Sequence, residues 1–251
     1  MPGGGVRSTL QLVEKRRVAP PIDLLGIGLY TPADVATLLR IPTTTIHRWI
    51  DGYSYPLAQR ARRRKPALFI PALPRAHGRL TLTFLDLVQL RVVRAFREAG
   101  VSLQRIRLGA ETASDLFGTS HPLAHLRLKT EGRSLWRDMV SVRGRETIDL
   151  SAGGQLSFPE LVTDSLHEIT YRADQGLAER WYAAGPGGGV VLDPEVAFGA
   201  PVVVDVNVPT RAIWEQARSE PSVDRLANWF RIDARQVQDA LRYEESLQRA
   251  A

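Results

Sequence analysis

Residues 31–52 read TPADVATLLRIPTTTIHRWIDG. Thr31 stands where a helix N-cap belongs, and Pro32 occupies the first helical position, where its missing amide hydrogen costs nothing. Val35, Ala36 and Leu39 then fall on one helical face. Pro42 stops this helix near Arg40, because a proline cannot continue the hydrogen-bond ladder. Thr43, Thr44 or Thr45 can cap a second helix, in which Ile46, Trp49 and Ile50 recur at three- and four-residue spacing until Gly52 ends it. Two short helices about three residues apart predict a helix-turn-helix. The outer face of the second would carry Thr44, Thr45, His47 and Arg48.

Downstream, residues 53–79 alternate prolines (Pro56, Pro66, Pro71, Pro74) with cations (Arg60, Arg62, Arg63, Arg64, Lys65), which reads as a basic wing or loop. A third helix starts at the Thr83 cap with Asp86 three residues on. It places Phe84, Leu87, Val88, Val92, Ala95 and Phe96 on one face and stops at Gly100. Ser102 caps a fourth helix, with Leu103, Ile106 and Leu108 turned inwards and Arg105 and Arg107 pointing away. Upstream, residues 1–29 open on Gly3, Gly4 and Gly5 and contain Pro20 and Pro21, a composition expected of a flexible arm.

Past His121 the period shortens. Leu126 and Leu128 before a Thr130, Glu131, Gly132 turn, Leu135 and Trp136 after it, and the alternation around Ile148, Leu150, Ile169 and Tyr171 are hairpin signals. With a further turn at Asp174, Gln175 and Gly176 and one short helix near 158–162, residues 121–184 are expected to form a small antiparallel β module. Gly185 to Gly189 reads as a linker, and it lacks the GK[ST] ending of a phosphate loop. Residues 190–251 then give a strand at Val190–Leu192 and an apolar run at Val202–Val204. Three helices follow, expected to be capped by Thr210, Ser222 and Asp233, the last two meeting across Arg231 and Ile232 as in a helix-turn-helix. The expected fold class is α+β: an N-terminal winged helix-turn-helix (30–120), the middle β module, and a C-terminal three-helix domain.

Charge sharpens the functional reading. The 251 residues carry 33 Lys and Arg against 27 Asp and Glu, a net charge of +6. Residues 1–120 hold 18 basic and 8 acidic side chains, whereas 121–251 hold 15 and 19. Clustered cations suit phosphate neutralisation, so nucleic acid is the expected partner of the first half and something else that of the second. There is no cysteine, which removes disulfides, thiolate nucleophiles and thiolate metal sites. With no apolar run near the roughly 18 residues of a membrane span and no secretory signal in the first residues, a soluble cytoplasmic protein is expected.

No catalytic constellation emerges. His121 and His125 are spaced i, i+4, but Pro122 lies between them. Asp164, Ser165 and His167 have the residue types of a triad without a nucleophile elbow, and Glu244 and Glu245 read as solvated helix residues. No metal, cofactor or enzymatic activity is implied. For duplex DNA, Arg48 and His47 would reach base edges, Thr43, Thr44 and Thr45 would hold phosphates or thymine methyl groups, and Arg62, Arg63, Arg64 and Lys65 would follow the backbone. One such module binds weakly, so a homodimer spanning two half-sites is expected.

Two resemblances add to this. Tyr30 to Ala36, Ile41, Pro42, Thr45 and Trp49, with Phe84 to Leu87, Leu90, Gly100 to Leu103, Ile106 and Arg107, resemble the MerR-type winged helix-turn-helix over about 30–108. The chain departs from that pattern in reading His47, Arg48, Trp49 where an Arg-Tyr-Tyr run is usual, and in lacking effector cysteines and a long coiled coil. Asp193, Pro194, Gly199, Pro201 to Val203, Val208 to Thr210, Phe230, Val237, Ala240, Leu241 and Tyr243 are similar to the small C-terminal domain of VapB-like antitoxins. There Asp205, Val206 and Asn207 replace the usual Gly-Thr-Arg.

These resemblances imply a DNA-binding antitoxin that represses its own operon and neutralises a PIN-like ribonuclease toxin. Its candidate toxin contacts are Arg211, Arg218, Arg225, Arg231 and Arg235 with the aromatics Trp214, Trp229 and Tyr243. A stand-alone MerR-like regulator, with a ligand-binding or dimerising C-terminal half, is the alternative.

Overall fold

A computed structural model of the chain describes residues 27–56, 62–142 and 160–249. Of the expected arm, only 27–29 fall within this set, and Ile148, Leu150, Arg60 and the start of the expected short helix at 158–159 lie outside it.

The chain enters through Tyr30, whose backbone exchanges two 2.9 Å hydrogen bonds with Leu82. Helix α1 (Pro32–Leu39) begins in a reciprocal capping box between Thr31 and Asp34 and ends with Arg40 in the left-handed region (φ 51°). Helix α2 (Thr43–Asp51) buries Ile46, Trp49 and Ile50. Its N-cap is Pro42, which offers no side-chain bond, so the three threonines occupy the first turn instead of capping it. Strands β1 (Tyr53–Pro56) and β2 (Arg62–Lys65) pair antiparallel directly after α2, in the register Tyr53 to Lys65 and Tyr55 to Arg63. The first part of the basic segment, residues 53–65, is thus a two-stranded hairpin. Helix α3 (Phe84–Glu98) starts in a second capping box, Thr83 with Asp86, and carries ten buried residues. Helix α4 (Leu103–Phe117) is capped by Ser102 and ends at left-handed Gly118.

From here the expected β module is partly overturned. Leu126–Val142 is one helix, α5, and His121 to His125 brackets a 3-10 turn at Pro122–Ala124. The Thr130, Glu131, Gly132 turn signal sits inside α5, where Leu128 and Gly132, four residues apart, are both buried. Helix α6 (Glu160–His167) leads into a four-stranded antiparallel sheet of β3 (Ile169–Tyr171), β4 (Ala178–Trp181), β5 (Val190–Leu192) and β6 (Pro201–Val203), in that order. The Asp174–Gly176 hairpin lies where the sequence places it, between β3 and β4. The glycine run 185–189, read as a linker, is instead part of the turn between β4 and β5, two strands of one sheet.

Helices α7 (Thr210–Ala217), α8 (Val223–Phe230) and α9 (Ala234–Gln248) complete the chain. Ser222 and Asp233 cap α8 and α9 as expected. Thr210 does not cap α7; its hydroxyl donates to buried Glu244 at 2.5 Å, joining α7 to α9. Glu244 is therefore not a solvated helix residue, while Glu245 is exposed. One core runs from Val35, Ile46 and Trp49 through α3 to Leu166, Trp181 and Leu192. A second, of Val203, Ile213, Leu226, Val237 and Ala240, ties the last three helices to β6.

Candidate nucleic-acid interface and partner face

The amphipathic period of α2 sets the first site. With Ile46, Trp49 and Ile50 committed to the core, Thr43, Thr44 and Arg48 are exposed, and Thr45 and His47 half-buried. The Arg48 guanidinium lies over the Tyr53 ring, 4.8 Å from its centroid, so the first residue of the hairpin holds the arginine of the helix. His47 and Arg75 both engage Asp51, His47 through Nδ1 at 3.2 Å. Burial pushes the Asp51 carboxyl up, but the hydrogen bonds from Arg75 and His47 outweigh it and leave it below the usual carboxylate range.

Gly52 makes the connection from helix to hairpin possible. Its φ is +70°, and a Cβ there would come within 2.3 Å of the Lys65 carbonyl. Arg107, expected to point away, instead reaches back from α4 and donates to the carbonyls of Ala67 (2.8 Å) and Pro66 (2.6 Å), bracing the end of the hairpin. Arg64 is exposed and Lys65 half-buried, while Arg62 and Arg63 set the register of β2. The structure thus brings the α2 residues and the hairpin residues onto adjoining elements. Sequence reasoning missed Tyr53, Arg75 and Arg107, whose roles depend on contacts 5, 24 and 40 to 41 residues away.

Behind this surface lies a buried polar group. Asp86 is fully buried and accepts from the Thr83 amide (2.9 Å), the Thr83 hydroxyl (3.0 Å) and the Ala72 amide (3.3 Å). Burial pushes its carboxyl above the usual range, and these bonds oppose that. His121 Nε2 sits 3.9 Å from Asp86 Oδ1, and burial pulls the His121 ring below the ordinary histidine value despite the nearby carboxylate. The candidate triad does not assemble: Ser165 donates to the Val162 carbonyl at 2.8 Å. Among the described residues no group of three or more His, Asp or Glu could hold a metal ion.

The expected partner residues spread over three mutually packed helices. Arg211 pairs with Glu215 at 2.7 Å on α7, and Arg225 with Glu220 at 3.1 Å beside α8. Arg218, Arg231 and Arg235 are exposed, and Trp214 is half-buried. Trp229 is 72% exposed, a large apolar side chain left outside both cores. Tyr243 departs from expectation: it is buried against Val190 and Leu247 and presents nothing to a partner. The Asp193–Pro194 step has a structural role, since Asp193 accepts from Arg180 (2.7 Å) and from the Glu195 amide (2.9 Å) to fix the turn after β5.

By fold and surface, this is a helix-turn-helix protein of the DNA-binding class. Residues 28–109 match the family described as "Putative DNA-binding HTH domain", and 190–243 a family described only as a protein of unknown function, DUF433. The chain is 32% identical over 232 residues to the Mycobacterium tuberculosis protein named "Putative antitoxin VapB45", covering 86% of this chain and 93% of that one. It belongs to the family of that protein. A second relative, "Uncharacterized protein Rv2308" of the same organism, is 26% identical over 246 residues, covering 88% and 92% of the two chains. The crystal structure of Rv2018 from Mycobacterium tuberculosis superposes with a TM-score of 0.69 at 27% identity, over 86% of this chain and 99% of that one. Among the described residues no helix is long and apolar enough to cross a membrane.

Proposed function

We propose that the protein is a DNA-binding antitoxin that represses its own operon and neutralises a PIN-like ribonuclease toxin. The observation that carries the DNA half is the exposed face of α2, with Thr43, Thr44 and Arg48 set against the basic hairpin through the Arg48–Tyr53 contact. In this reading α2 enters the major groove, Arg48 and His47 take base edges, and the threonines take phosphates or thymine methyl groups. The hairpin residues Arg62, Arg63, Arg64 and Lys65 follow the neighbouring backbone. A homodimer would supply two half-sites.

The antitoxin half rests on membership of the VapB45 family and on Trp229. An exposed tryptophan with arginines on the neighbouring helices has the make-up of an interface anchor and its charged surround. Arg218 and Arg231, with Arg211 and Arg225 exchanging their local partners, would engage the carboxylates of a nuclease metal site. The test is titration of duplex DNA from the protein's own promoter against the wild type and Arg48→Ala, with and without the partner nuclease. Sequence-selective binding that depends on Arg48, together with a stoichiometric complex with the nuclease, supports the proposal. Binding that ignores both sequence and Arg48 removes the DNA half.

A further inference from the structure

Between the N-terminal helices and α9 lies an open cleft of two adjoining hollows, about 320 and 560 Å³, that share Arg40, Glu168, Ala183 and Tyr243. Its size is that of a small-molecule site. Its walls come from the whole chain: Arg40 caps α1, Arg91 and Arg94 lie on α3, the turn 184–188 forms the rim, and Arg235 and Arg242 project from α9. A glycine follows the rim where it nears α9: Gly189 has φ +74°, and a Cβ there would come within 2.5 Å of Asp239 Oδ2.

The charge in the cleft does not balance. Arg91 is neutralised by Glu168, Arg94 by Glu98 and Arg242 by Asp239. Among the described residues Arg40 and Arg235 have no carboxylate within ion-pair distance; Arg40 donates to the Ser246 hydroxyl at 2.8 Å, and Asp164, which makes no ion pair, lines the smaller hollow together with Glu98 and Glu168. In the floor, Tyr243 is 7% exposed and its hydroxyl has no hydrogen-bond partner. Surplus guanidinium with spare donors in a cleft is the complement of an oxyanion.

We propose that this cleft binds a small phosphate- or carboxylate-bearing metabolite through Arg40 and Arg235, and that its occupancy ties the N-terminal helices to α9. The inference goes beyond DNA and partner binding and stands whether or not a toxin exists. The test is isothermal titration of the full chain with sodium pyrophosphate and, separately, with citrate, at ionic strength matched by chloride. Saturable binding of at least one is expected, and the stronger arm identifies the group recognised. Arg40→Gln and Arg235→Gln should each weaken it about tenfold or more, the size of one charge-assisted hydrogen bond. Circular dichroism checks folding, and if Arg40→Gln does not fold, exposed Arg235→Gln decides. Absence of saturable binding by both anions, or binding lost in Arg48→Ala and retained in Arg235→Gln, would overturn the proposal.

Discussion

Arg48 and Arg64 are both exposed cations near one surface, yet different work is expected of them. Arg48 is pre-oriented over Tyr53 at the C-terminal half of α2, so Arg48→Ala should cost about 1–3 kcal/mol of discrimination between operator and unrelated DNA. Arg64→Ala on β2 should weaken all sequences alike and flatten the salt dependence by roughly 0.9 in log–log slope. Fluorescence anisotropy at several salt concentrations separates the two; equal losses of selectivity in both variants would contradict this division. His121 should make stability depend on pH. Burial lowers its folded value below the free-histidine value of 6.5, so its contribution to stability is present above that value and is lost as pH falls from it towards the folded one. The melting temperature of the wild type, relative to His121→Asn, should therefore drop between pH 7.5 and 5.5. A constant difference would show that the ring gains nothing from being neutral in the fold.

At the scale of elements, the capped amphipathic helices were legible and the middle of the chain was not. Thr31 with Asp34 and Thr83 with Asp86 are local signals that the fold uses as written. Residues 126–142 mislead because Leu126 and Leu128 alternate as a strand would and Gly132 mimics a turn. Tertiary packing decides otherwise, since the missing side chain of Gly132 lies on the buried face with Leu128. The Arg127–Glu131 pair at 2.8 Å was the available i, i+4 helix signal. Similarly, Glu244 looked solvated because its donor, Thr210, lies 34 residues earlier. Thr210→Val should leave that carboxylate without its bond and lower the unfolding free energy by about 1–3 kcal/mol, read by chemical denaturation. The α2–hairpin joint gives another case: Gly52→Ala meets both a left-handed φ and the Lys65 carbonyl, and should cost more than about 1 kcal/mol while weakening DNA binding.

For the whole molecule, the sheet decides how the parts behave together. β4 and β5 pair across the glycine turn, Tyr30 donates to the Gly199 carbonyl at 2.7 Å, and Leu29 to the Phe198 carbonyl at 3.0 Å. The N-terminal helices and the C-terminal unit are therefore expected to melt in one cooperative calorimetric transition, not two. Trp229 stands clear of both cores, so Trp229→Ala should change stability by less than about 0.5 kcal/mol while removing capture of the partner. The central claim, that a DNA-binding half and a toxin-neutralising half share one chain, is tested most directly by co-expression. The tagged protein is produced together with an untagged candidate PIN-like nuclease and passed over a sizing column. A stoichiometric complex is expected, one that Trp229→Ala disrupts and in which the nuclease no longer cleaves RNA. Elution of the protein alone, with the nuclease absent from its peak or its RNA cleavage undiminished, would contradict it.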